Sequence, residues 1–309
     1  VTAETSTEVT VKVGATTQAV PVSQITSIRY DGRPPSIDLA LSRETAGNFL
    51  EAADLYKKAA GEAAAKPFIA QDALFSQARV MADLGLTDPS KADQAMTLLE
   101  SFIRTNGNTR HLLPALETLA KLQMQKGSYA AVEQTLDKLS KIPQTADRAA
   151  VLRAKVASRK GDHDSAIKEF DKLISEGKEG SVRRRDAQLA KAESLVALKK
   201  VAEAEALVRA VIKAAPAEDA GTQSVAHNTL GDCLRAAGRP KDALFAYLHT
   251  DLLFFKDKEQ HPKALAKIAQ TWSELKREDR AAEVIDRLKA EYPKSPYTAA
   301  ATATKTSGG

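Results

Sequence analysis

Residues 47–59 read GNFLEAADLYKKA, with Phe49, Ala52, Tyr56 and Ala59 set among charged and polar positions. Spacings of three and four residues put small and aromatic side chains on one face of a helix, with a glycine just before it. The pattern returns. Aligned on Ala52, it recurs at Ala95, Val132, Ala166, Ala204, Ala243 and Ala281, at intervals of 43, 37, 34, 38, 39 and 38 residues. Gly127 and Tyr129 precede Val132. Gly161 and His163 precede Ala166, and Phe170 follows it. Gly238 precedes Ala243, and Tyr247 follows. Pro216 and Pro293 each lie twelve residues after a crossing alanine.

A period of this length signals an array of supersecondary units. The unit expected is a helical hairpin. A small residue at the crossing lets two antiparallel helices approach closely, and a larger one a turn later fills the groove toward the next pair. Glycine permits the turn between the helices, and proline ends the second helix. Residues 47–59 are then the turn and second helix of the first repeat. The fifth turn has Lys199 and the seventh Lys276 where glycine is usual, and the second has a long turn, GLTDPSKAD. A non-repetitive helical bundle is the alternative.

The first thirty residues follow another rhythm. TEVTVKV alternates Val9, Val11 and Val13 with polar positions, which predicts a half-buried strand. QAVPV and ITSIRY predict two more, with Pro21 marking an edge. DGRPP, residues 31–35, is the break before the helices. Three short strands need cover from elsewhere. The expected cover is the first repeat, whose exposed end the sheet would cap; completing a sheet with another segment is the alternative.

The repeat resembles the tetratricopeptide repeat. HNTLGDCLRAAGRPKDALFAY carries Leu230, Gly231, Leu234, Gly238, Ala243 and Tyr247 in that family's spacing. The resemblance covers about residues 36–293. It implies a mainly α protein, an α–α superhelix of about seven hairpins, with a small β element at residues 1–30, a linker at 31–35 and a tail at 294–309. The β element resembles the later strands of a small SH3- or Sm-like barrel. The lead-in VPVSQITSIRYDGRPP resembles exported repeat proteins of planctomycete bacteria. The ending EYPKSPYTAAA resembles envelope scaffolds such as the outer-membrane assembly lipoprotein and the cell-division coordinator. Position 1 is valine, so no lipid-bearing cysteine stands there. An export signal removed upstream of Val1, or an ordered part that begins there, would both account for this start. ATATKTSGG is expected to fray.

The chain has 309 residues, 45 basic and 40 acidic, for a net charge of +5. Both signs are spread along the helices, which favours solvated faces over a nucleic-acid footprint. No apolar run reaches the length of a membrane span. Cys233 is the single cysteine, so no intrachain disulfide forms, and its neighbours make it a small buried helix residue.

Catalytic and metal motifs are missing. His111, His163, His227, His249 and His261 make no HExxH and have no metal-ligand spacing. His163 and His227 fall at packing positions. His249 and Asp251 are two apart and would face different ways on a helix. No phosphate loop, nucleophile elbow or dinucleotide fingerprint occurs, and no cofactor is expected. Arg183, Arg184 and Arg185 form the densest basic cluster, at a helix start where cations oppose the dipole. That placement suits an acidic or phosphate-bearing partner, although a solvated turn explains it as well. LLFFKDKEQHP extends the sixth second helix beyond its usual length with four large apolar residues, Leu252, Leu253, Phe254 and Phe255, that no single helix face holds; packing on the seventh repeat is the expected outcome, and an exposed remainder marking a contact site is the alternative.

In the resembled family the first helices line a concave groove that contacts extended peptides. The matching positions here are Arg148, Lys155, Arg159, Asp186, Glu193, Asn228, Asp232, Arg235, Lys263 and Gln270. They do not reproduce the lysine and asparagine set that clamps a terminal carboxylate in chaperone-binding members. An ordinary solvated face is the competing reading. The expected function is a non-enzymatic scaffold of the exported or periplasmic envelope that binds a protein or peptide. A self-assembling structural protein is the alternative.

Overall fold

A computed structural model describes residues 1–143 and 145–306. The chain divides into two compact units, Val1–Ala149 and Ala150–Gly309.

The first unit opens with an antiparallel sheet in the order β1 (Ala3–Glu4), β2 (Glu8–Val13), β3 (Thr16–Pro21). Gly14, at φ 62°, turns β2 into β3, so that Val13 pairs with Thr16 and Val9 with Val20. Pro21 lies on an edge strand, where its missing N–H breaks no ladder. Two expectations fail here. ITSIRY is not a strand; the short β1 takes the third place in the sheet. The valine stripe is covered at one end, with Val9 0% and Val13 63% exposed.

Three hairpins follow. They are α1 (Pro35–Thr45) with α2 (Phe49–Glu62), α3 (Pro67–Thr87) with α4 (Ala92–Thr105), and α5 (Leu112–Gln125) with α6 (Tyr129–Ser140). Pro35 and Pro67 start their helices, where the missing N–H has no partner to lose. α7 (Ala146–Arg159) runs across the boundary between the units.

The sheet is anchored to the third hairpin and not to the first. Arg110, just before α5, donates from its backbone N–H to Glu4 Oε1 (2.8 Å) and from Nη1 to Glu4 Oε2 (2.9 Å). Its Nη2 bonds both oxygens of Asp72 on α3 (2.6 and 2.7 Å), and Nη1 reaches Tyr30 Oη (3.1 Å). His111 Nε2 lies 2.7 Å from Asp72 Oδ1, with its ring stacked on Phe75. Burial, then the charge of Asp72, pushes the Tyr30 phenol up to about 12. The expected docking on the first repeat is therefore replaced by an ion-pair lock, because Glu4 meets its guanidinium at the α4–α5 junction.

The second unit continues the hairpins with α8 (His163–Glu176), α9 (Val182–Ala197), α10 (Val201–Ala214), α11 (Ala220–Ala236), α12 (Pro240–Leu253), α13 (Gln260–Glu274) and α14 (Glu278–Glu291). A last helix, α15 (Pro296–Thr306), packs on α13 and α14. The segment expected to fray is thus helical to residue 306; residues 307–309 lie outside the described ones.

The repeat register holds throughout. Ala52, Ala95, Val132, Ala166, Ala204, Ala243 and Ala281 are all 0–1% exposed. The aromatic residue after the crossing packs on the next first helix: Tyr56 with Val80 of α3, Phe170 with Ala187 of α9, Tyr247 with Ile268 of α13. Gly47, Gly127, Gly161 and Gly238 turn their hairpins at φ 73–88°. Lys199 and Lys276 take the same left-handed conformation at φ 61°. The next N–H then reaches back five residues, as from Lys200 to Leu195 O (2.9 Å) and from Arg277 to Trp272 O (2.9 Å), closing the helix end. At Gly231 a Cβ would stand 2.3 Å from the Tyr247 ring, so this approach of α11 to α12 requires glycine.

Candidate functional site: the first-helix face

In the second unit the residues expected to meet a partner fall on stripes of consecutive first helices. Asp186 and Glu193 are seven apart on α9, as are Lys263 and Gln270 on α13. Asn228, Asp232 and Arg235 follow at four and three on α11. Spacings of three, four and seven keep each set on one helix face.

Ion pairs join the helices across this face. Lys263 Nζ lies 3.7 Å from Glu193 Oε1 on α9. Lys267 Nζ lies 3.0 Å from Asp232 Oδ1, which also accepts the Tyr247 hydroxyl at 2.7 Å. Arg235 Nε donates to Glu274 Oε1 at 2.9 Å. Lys263 is mostly buried. Burial works against its charge, but Glu193 and then Asp232 outweigh it, so its pKa sits above the ordinary lysine value. The Tyr247 phenol is raised by burial first and by Asp232 next.

Sequence reasoning missed Lys267 and Glu274. The available signal was opposite charge one repeat away, at 35 residues from Asp232 and 39 from Arg235. It also missed Tyr297 of α15, whose phenol is raised by burial. Lys263 opposes that shift, and Arg159, Glu193 and Glu259 also act on the phenol electrostatically.

The other expected residues are dispersed. Gln270, Glu193 and Arg159 are exposed, and Lys155 and Asp186 are half-buried. Arg148, in the first unit, donates from Nη1 to Glu117 Oε1 of α5 at 3.0 Å. Asn228 departs from the expectation. It is fully buried, and its Nδ2 donates to the backbone oxygen and Oε1 of Gln260 (3.0 and 3.1 Å). It ties α11 to the start of α13 and does not face outward.

The arginine cluster is largely consumed inside the fold. Arg185 is buried, with Nη2 on Asp219 Oδ2 (2.8 Å) and Nη1 on Gly180 O (2.5 Å). Arg184 Nη1 donates to Gly177 O at 3.2 Å. Charges set against the dipole thus close the loop between α8 and α9.

Histidine chemistry is also structural. Asp251 pairs with His261, not His249. His261 Nε2 lies 2.8 Å from Asp251 Oδ1 and its Nδ1 2.8 Å from Tyr292 Oη, while Arg287 Nη1 reaches Asp251 at 2.8 Å. Both ring nitrogens are engaged, and the cluster fastens α12, α13 and α14. His227 stacks on His249 with centroids 4.5 Å apart and its Nδ1 buried without a partner. Burial, then His249, lowers the His227 pKa to about 4. Burial, then Asp232, pushes the Cys233 thiol up to about 12, which keeps it from acting as a thiolate near neutral pH. Among the described residues no group of three or more His, Cys, Asp or Glu is placed to hold a metal ion.

Family models described as Tetratricopeptide repeat match residues 148–219 and 263–295. A tetratricopeptide repeat protein from Parabacteroides merdae is similar in structure. Its TM-score is 0.56 at 16% identity, over 82% of this chain and 91% of that one. The apo quorum sensor NprR from B. thuringiensis is similar at TM-score 0.57 and 15% identity, over 82% of this chain and 74% of that one. No curated protein matches. The hairpin architecture is that of tetratricopeptide-repeat proteins. Together with the two matched segments it supports a tetratricopeptide-repeat protein.

Proposed function

We propose that this protein is a non-enzymatic scaffold that binds a protein partner along the first-helix face of α9, α11 and α13. One observation carries the reading. The face presents a lattice of ion pairs, Glu193–Lys263, Asp232–Lys267 and Arg235–Glu274, whose members are part-exposed and come from different helices. A partner with charges at matching intervals can exchange with Asp232–Lys267 and Arg235–Glu274 at small net cost, because part-solvated pairs hold little energy of their own, while mostly buried Lys263 keeps Glu193 in place. Arg159, Glu193 and Gln270 add exposed polar contacts. We place the protein in the exported or periplasmic envelope, on the resemblance of its lead-in and ending to envelope repeat proteins. Among the described residues no helix is long and apolar enough to cross a membrane.

The test is a pull-down from envelope extract with the wild type and with Glu193→Lys/Gln270→Lys. Expected is a defined protein captured by the wild type and lost with the variant. Equal capture by both would move the contact off this face.

The open edge of β3 favours a second reading, a self-assembling structural protein. An edge strand is a template for another chain. Light scattering at rising concentration distinguishes the two, since the scaffold stays monomeric without its partner.

A further inference from the structure

The sixth hairpin breaks the repeat pattern on its outer side. Two positions after the crossing residue, the other six hairpins carry Asp54, Thr97, Gln134, Lys168, Ala206 and Glu283; the sixth carries Phe245. Nine positions after it, where the others have Gly61, Arg104, Lys141, Ser175, Lys213 and Ala290, the sixth has Leu252. Both are turned to solvent, Phe245 65% and Leu252 68% exposed. Leu253 and Phe255 join them at 64% and 51%. Phe254 between them is half-buried, its ring 6.2 Å from that of His227, so it roots the segment while its neighbours project. The expected extension of the helix through these residues, with internal packing, is not found: α12 ends at Leu253, at the length of most other second helices, with Phe254 N–H on Thr250 O. Packing inside the array does not account for this patch.

Shape and charge indicate what covers it. A partner helix or a second copy reads one stripe of a helix. Phe245 and Leu252, seven apart, share one face of α12, but Leu253 beside them and Phe255 beyond the helix end are exposed as well, so the patch widens past a single stripe into a knob. Exposed lysines follow. Lys256 Nζ stands 6.0 Å from the centre of the Phe255 ring, and Lys258 is exposed two residues on. The acidic groups nearby are mostly occupied. Asp257 accepts from Ser224 Oγ and from the Glu259 and Gln260 N–H groups, and Asp242 is ion-paired with Arg239; Glu259 is exposed. Apolar side chains with lysines at their rim suit the boundary between acyl chains and anionic headgroups, where lysine stems lie on the apolar layer and their charges stay in water.

We infer that the end of α12 and the loop after it dock on an anionic lipid surface, with Phe245, Leu252, Leu253 and Phe255 entering the acyl boundary and Lys256 and Lys258 meeting the headgroups. The inference does not rest on the first-helix face and stands or falls separately from it.

The experiment is co-sedimentation of the full chain with phosphatidylcholine vesicles and with vesicles of phosphatidylcholine and phosphatidylglycerol in equal parts. Binding is expected to the mixed vesicles, with little to phosphatidylcholine alone. Leu252→Glu/Phe255→Glu should abolish it. Lys256→Gln and Lys258→Gln should each weaken it roughly fivefold, as expected for the loss of one positive charge near an anionic surface. Circular dichroism should show all variants folded, because the side chains changed are exposed. A second variant, Phe255→Trp, should shift its emission to the blue on adding mixed vesicles. Absence of sedimentation with no emission shift overturns the proposal. So does sedimentation that the variants leave unchanged. A concentration-dependent dimer lost in Leu252→Glu/Phe255→Glu assigns the patch to a second copy and overturns it too.

Discussion

Lys199 and Lys276 hold the left-handed backbone that glycine takes in the other hairpin turns. A Cβ in that region costs roughly 1–2 kcal/mol, and glycine's greater loss of freedom returns about half of it. Lys199→Gly and Lys276→Gly should therefore each stabilise the protein by about 0.5–1 kcal/mol, read as a higher urea midpoint. His227 gives a pH dependence. Its folded pKa is about 4 against 6.5 for the free side chain, so the unfolded chain binds the extra proton first. Stability is then full above about pH 6.5 and falls as pH drops toward 4, by up to roughly 2 kcal/mol after a discount for solvent screening. Unfolding at pH 7 and pH 4.5 should show this loss in the wild type and a smaller one in His227→Gln.

At the scale of the element, the helices were legible because three- and four-residue spacing imposes burial on fixed positions. All seven crossing residues are buried where that spacing put them. The β element was legible only in β2 and β3. β1 has two residues, too few for any alternation, and ITSIRY, whose Ile25 and Ile28 are three apart, has β-branched residues without the two-residue period of a strand. The docking of the sheet was hidden because Arg110 and Glu4 are 106 residues apart and share no motif. The candidate face was partly legible. Helical spacing selected exposed Glu193 and Gln270, but it also selected Asn228, since spacing does not reveal a neighbouring carbonyl such as Gln260 O. Arg110→Ala tests the anchor. It leaves Asp72 and Glu4 without their cation, at a cost of about 2–4 kcal/mol, and should raise hydrogen exchange in residues 3–21 more than in α9–α14.

Over the whole molecule, each hairpin borrows its stability from its neighbours, so damage should stay near where it is made. Ala52, fully buried at the first crossing, provides the test. Ala52→Leu should cost roughly 1–3 kcal/mol by overpacking, with faster exchange near residues 36–64 and little change at residues 220–290. Uniform loss would mean that the array melts as one body. The lock between Glu4 and Arg110 has a different consequence, in time. A pair such as Arg235 and Glu274, 39 residues apart, needs one further hairpin to form, whereas Glu4 must wait for a residue 106 positions downstream. Closing so long a loop is slow relative to helix pairing. On the ribosome the strands emerge ahead of the helices and find their anchor only after two hairpins have been made, so the sheet stays undocked through that interval and is fixed in the finished protein through one arginine.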